Sequence, residues 1–360
     1  MKVKCLLWVA LAVLDTCSPV PLGDGDRRVV ARELGSEVVV PTLDEVVART
    51  SELTSAAQQL VHSQDLLALR AVQAAWRAAR VPWKQADAFG FGPASDLRLT
   101  PAMDQVVDPP KIDALLAAAT PIDEDTVTAL GANVKGFHAI EHLLFGDSET
   151  GLVLLFSVDV RAERRRSLLV EYTRNLAARA VELRVAWAGE SELIAHPGTD
   201  NETYPTVADS IDAFVNESVF LAEFAADARL GKPSGTATGG VSQPDLVESR
   251  PSDNSLADLR DTLLGIRNVY FGSRNGMPGK GIGKLIVDSS PSTDRDVREA
   301  LAASLEAVAA IPLPYEQALA AHAPEIEIAL NTIKELKTIL GTEVVGVLGA
   351  TLKFNDNDGD

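Results

Sequence analysis

The sequence predicts an all-α protein built as two helical bundles, and three observations carry that expectation. Most long segments place apolar residues three and four apart, the spacing of one helix face. No segment alternates with the period of two that a half-buried strand requires. A turn-rich stretch from Gly231 to Gly240 divides the chain. The 360 residues suffice for two domains of ordinary size, each with its own core. Residues 41–232 therefore read as an N-terminal bundle and 241–360 as a C-terminal one.

The chain opens with Lys2 and Lys4 before an apolar run from Cys5 to Leu14, too short to span a bilayer. Residues 1–16 thus read as an export signal. Leu14-Asp15-Thr16-Cys17 resembles a bacterial lipoprotein processing site with Cys17 as lipid acceptor, although Asp15 is unusual there. Cleavage nearby, giving a periplasmic or secreted protein, is the alternative. Cys5 would leave with the signal, so no intrachain disulfide can form. Residues 17–40 read as a mobile segment.

Thr42-Leu43-Asp44-Glu45 has the form of a capping box that starts a helix. That helix runs through Ala56, Leu60, Leu67 and Ala71 toward Trp76, and Pro82 would kink or restart it. A loop follows over Gly90–Val107. Pro121-Ile122-Asp123 is expected to start a helix that Gly146 ends. Further helices are expected at 157–188, 206–229, 255–270, 294–309 and 315–340, with a glycine-rich loop over Gly272–Gly283.

Charge narrows the function. Fifty-one acidic against 33 basic residues give a net charge of −18, which repels nucleic-acid phosphates and anionic lipids and favours cations. Nucleic acid is excluded as a partner, and a membrane would be reached only through a lipid anchor.

Only five histidines occur, and two of them flank a glutamate in Gly136-Phe137-His138-Ala139-Ile140-Glu141-His142. Residues three and four apart share a helix face, so His138 can meet both Glu141 and His142. The apolar neighbours Ile140, Leu143, Leu144 and Phe145 imply burial. Buried ionisable groups need a partner, so a metal, a charged ligand or a tight polar network is expected. His138-x-x-Glu141-His142 also matches the inverted zinc-protease pattern, with both histidines on zinc and Glu141 as general base. Zinc would need a third ligand, for which Glu171, Glu182 and Glu223 are equal candidates. Arg80, Trp83 and Asp87 would form one helical stripe if Pro82 does not break the helix. Asp87 could then join the histidine site with Arg80 balancing charge, or Trp83 could be core with the charges paired at its edge. Ser255 could face the same cleft as Glu248, or cap its helix with Asp258. Gly272–Gly283 lacks the Gly-Lys-Ser/Thr ending and the preceding strand of a phosphate loop. The tail carrying Asp356, Asp358 and Asp360 stops before the glutamate a calcium loop requires.

These residues, taken in order, resemble the imelysin family of bacterial envelope proteins. Its hallmark Gly-x-His-x-x-Glu is matched by Gly136, His138 and Glu141. Ala79-Arg80-Val81-Pro82-Trp83, Asp87-Ala88-Phe89 and Phe91-Gly92-Pro93 precede it. Glu248-Ser249-Arg250-Pro251-Ser252, Asn254 to Leu259, Gly265-Ile266, Tyr270-Phe271-Gly272 and the Phe354–Asp360 ending follow it. The resemblance covers roughly residues 40–360, with one departure: Asp87 stands where relatives carry glutamate. It implies two helical bundles with the motif near the groove between them, and either a metallopeptidase or an iron-linked envelope protein. Three functions are therefore expected as alternatives. One is a metal site for iron or zinc built from His138, Glu141, His142 and Asp87, supported by Arg80, Trp83, Glu248 and Ser255. Another is a metallopeptidase acting on a peptide substrate through Glu141. The third is a metal-free site for a small polar ligand.

Overall fold

A computed structural model describes residues 23–353, all helices, turns and connections, with no strand among them. The expected signal, Cys17 and the acidic ending from Phe354 lie outside the described residues. No described helix is long and apolar enough to cross a membrane.

Helical structure begins earlier than the capping-box reading placed it. Helix α1 spans Asp24–Glu33, a wider turn covers Leu34–Val39, and α2 continues over Val40–Ser63. Residues 24–40 are therefore not a mobile lead-in, because Val30, Ala31, Leu34, Val38 and Val39 are buried in the core. Thr42 lies inside the helical path, where its hydroxyl donates to the Val38 carbonyl at 2.7 Å and caps nothing.

The long helix expected through Trp76 is two helices. Gln64 takes a left-handed conformation (φ 53°), and the Asp65 side chain accepts from the Ala68 amide at 2.8 Å to start α3, Leu66–Ala86. Pro82 neither breaks nor restarts α3, so Arg80, Lys84 and Trp83 stay on one continuous helix. A short helix α4, Leu99–Asp104, occupies the expected Gly90–Val107 loop. Pro121-Ile122-Asp123 does not start the histidine helix. Asp123 caps the short helix Glu124–Ala129, and the motif has its own helix α5, Phe137–Leu144.

Then come α6 (Ala162–Ala195) and α7 (Val207–Phe224), the latter opened by a Thr206–Asp209 capping box. The second half contributes α8 (Ser255–Phe271), α9 (Pro291–Ala310) and α10 (Ala323–Ile339). Antiparallel α2 and α3 pack together with α6, α9 packs on α10, and α8 lies against α3. One continuous buried core runs through both halves. Gly265 explains the α3–α8 approach: a Cβ there would sit 2.4 Å from the Gln85 carbonyl oxygen. That close crossing brings Asp258, about two turns earlier on α8, against Arg80.

Candidate functional site

The site is assembled from α3, α4, α5 and the Val247–Asn254 connection into α8. Gly136 sets the entry to α5. Its φ is +83°, and a Cβ would lie 2.3 Å from the Met103 carbonyl oxygen. Gly136→Ala is therefore expected to cost at least about 2 kcal/mol from left-handed strain and collision. Urea unfolding of the variant checks this, and a cost under about 0.5 kcal/mol would contradict it.

His138 Nδ1 meets Glu141 Oε2 at 2.8 Å. The other Glu141 oxygen accepts from the Ser252 amide at 3.0 Å and the Ser252 hydroxyl at 2.6 Å. Both carboxylate oxygens are therefore occupied, and they fix the ring. His138 Nε2 is buried without a hydrogen bond. It faces Asp104 Oδ1 at 3.3 Å and Glu248 Oε1 at 3.7 Å, close enough for charge attraction but not aligned as hydrogen bonds. These three groups can each offer a ligand atom within 4.8 Å of the others. A cavity of about 620 Å³ opens onto His138, Asp104 and Glu248.

Fixed cations surround the trio. Arg80, fully buried, donates to Asp258 at 2.7 and 3.1 Å and to Glu248 at 3.2 Å, and pairs with Asp104. Lys84 reaches Asp104 at 3.0 Å and Asp87 at 3.1 Å, and Arg229 pairs with Glu248 at 2.7 Å. Trp83 Nε1 donates to Asp104 at 2.9 Å. Burial alone would raise the Asp104 carboxyl, but Arg80, Lys84 and His138 hold it well below the usual carboxylate range. Glu248 is likewise held low against burial by Arg229 and Lys84. Burial presses the His138 pKa down, yet Glu141, Glu248 and Asp104 lift it to about 9. Five carboxylates (Asp87, Asp104, Glu141, Glu248 and Asp258) face three fixed cations, Arg80, Lys84 and Arg229. Imidazolium His138 offsets half the deficit; a divalent ion offsets it all. The donor set, one imidazole nitrogen and two carboxylates, suits iron or zinc. The orphaned Nε2 aimed at two carboxylates fits such an ion.

His142 does not join this cluster. Its Nε2 lies 3.5 Å from Asp113 on the outer side of α5, so the two-histidine zinc grip does not form. Asp87 lines the cavity but accepts from Lys84 and from Thr262 at 3.0 Å, outside the His138 trio. Ser255 does not cap α8 with Asp258. Its hydroxyl donates to the Glu248 carbonyl and so holds the Glu248 backbone. Asp258 instead pairs with Arg80, Asn254 and Ser249.

Asp104, Lys84, Arg229, Ser252 and Asp258 were not singled out as site residues. Lys84 stands one turn beyond Arg80, and Ser252 and Asp258 sit within the Glu248–Leu259 block, so a signal existed for these. Asp104 and Arg229 carry none in the linear pattern.

The imelysin (peptidase M75) family model matches residues 39–340, most of the chain. The chain belongs to the imelysin family. Among imelysin relatives it is similar to iron-regulated protein A of Synechococcus elongatus, 30% identical over 304 residues, covering 82% of this chain and 78% of that protein. Two solved imelysin-type structures share the fold. One is a putative iron-regulated protein A precursor from Parabacteroides distasonis, at TM-score 0.78 and 22% identity, covering 93% of this chain and 97% of that one. The other is an imelysin-like protein from Psychrobacter arcticum, at TM-score 0.76 and 14% identity, covering 93% and 99%.

Proposed function

We propose that this protein is an exported metal-binding protein of the cell envelope, holding a divalent ion between His138, Asp104 and Glu248. The observation that carries the reading is the buried, unbonded Nε2 of His138 facing two carboxylates at the wall of a cavity. Glu141 acts here as a positioning residue. By accepting the hydrogen bond from Nδ1–H it fixes the tautomer and leaves Nε2 to bind. The donor set suits iron and zinc alike, and similarity to iron-regulated protein A is what points to iron. Export rests on the Lys2–Leu14 pattern, with Cys17 as the anchoring residue if the signal is a lipoprotein one.

A bound ion would add a Lewis-acid centre to the cavity. The peptidase reading requires Glu141 to move a proton from water. Both its oxygens are engaged by His138 and Ser252, and it does not line the cavity. Binding is therefore the better-supported function.

Elemental analysis and anaerobic calorimetry with Fe²⁺ and Zn²⁺ test the proposal. Wild type should bind one ion per chain, and His138→Ala should bind none. Glu141→Gln should lose about 10–100-fold in affinity through misorientation of the ring. Because the ion displaces a proton from His138, affinity should rise about tenfold per pH unit up to about pH 9. Equal affinity in wild type and a folded His138→Ala protein would remove the site. Peptide cleavage that stops with chelator and in Glu141→Gln would reinstate the peptidase alternative.

A further inference from the structure

A second cavity, of about 550 Å³, lies beside the first, and Glu217 and Phe220 of α7 line both. Its volume falls within the range of small-molecule sites, about 300–1,000 Å³. Its walls combine the aromatic rings of Phe91, Tyr204 and Phe220 with the carboxyl groups of Glu190, Glu217 and Glu223, while Asp96, Asp209, Lys337 and Lys353 add charged groups of both signs. Two of those carboxyls already have partners: Glu190 accepts from the Tyr204 hydroxyl at 2.6 Å, and Glu223 pairs with Lys337 at 3.4 Å. Glu217 does not. Among the described residues it makes no hydrogen bond or ion pair, and what remains of its exposed surface faces the cavities.

Withdrawal from bulk water raises the Glu217 carboxyl, and nearby Asp87 raises it further, to about 8. A buried polar group without a partner costs free energy that an arriving donor recovers. The surrounding rings add a second preference, because aromatic faces attract organic cations. A neutral donor can recover the hydrogen bond but neither the charge attraction nor the preference of the rings for cations, and an anion gains neither.

We propose that this second cavity binds a small organic cation, its ammonium or guanidinium group at Glu217 and its hydrocarbon body against Phe91 and Phe220. The proposal shares no residue with the His138, Asp104 and Glu248 trio, so it stands or falls separately from metal binding.

Calorimetry on the full chain at pH 8.5 tests it with phenethylamine, agmatine and the neutral isostere 2-phenylethanol. The two cations should bind, with phenethylamine at least tenfold tighter than 2-phenylethanol. Glu217→Gln should erase that preference while melting at or above the wild-type temperature, since it removes an unpaired, half-buried carboxyl. His138→Ala should leave the preference intact. Three results would overturn the proposal. One is that neither cation binds, or that amine and alcohol bind wild type equally. Another is that the preference persists in folded Glu217→Gln. The third is that His138→Ala abolishes amine binding, which would place the cation in the first cavity.

Discussion

Arg80→Ala should destabilise the protein by about 3–5 kcal/mol. The guanidinium is fully buried and meets Asp258, Asp104 and Glu248 at once. Despite burial, Asp104 and Asp258 hold it firmly charged. Removing it leaves these carboxylates facing one another, and Asp258 keeps only the Ser249 hydroxyl and the Asn254 amide. Truncating one partner of a buried pair is costly because the other charge stays desolvated. Arg80→Lys should recover only part of the loss, since one ammonium cannot reproduce the two-pronged bond to Asp258 while reaching Asp104. Urea unfolding followed by circular dichroism measures both variants. Full rescue by lysine would show that charge alone, not the planar fork, matters here.

In the metal-free protein, His138 should make stability fall as pH rises. Its folded pKa of about 9 lies above the ordinary value of 6.5. The folded state therefore binds the proton more tightly than the unfolded chain. That contribution is fully present below pH 6.5 and is lost as pH climbs through 9. The shift corresponds to on the order of 3 kcal/mol for so buried a group. The stability difference between wild type and His138→Gln should shrink by that amount between pH 6 and pH 9.5. A difference that stays flat across this window would mean that the ring is not held as imidazolium.

Much of the helical content was legible because helix faces repeat in the sequence. The long helices near 162–195, 207–224, 255–271 and 291–310 follow apolar spacing, and the second of them also has a local cap at Thr206. Boundaries were less legible where tertiary packing overrides local signals. Thr42 has the sequence form of a cap, yet burial of Leu34, Val38 and Val39 draws the helical path past it. Pro82 reads as a break, but α3 continues through it, its buried face held on both sides of the proline by Trp76, Ala79, Arg80 and Trp83.

Residue chemistry and spacing alone determined three things about this imelysin-family chain: the helical build of its described residues, a net charge of −18, and His138 held by Glu141. Spacing within one helix sets the last of these, so it needs no knowledge of the rest of the fold. Only the tertiary structure decided what the imidazole faces. Asp104 and Glu248 reach it from segments 34 residues before and 110 residues after it in sequence, and no local period links such distant positions. The same packing turned His142 toward Asp113 and closed both Glu141 oxygens.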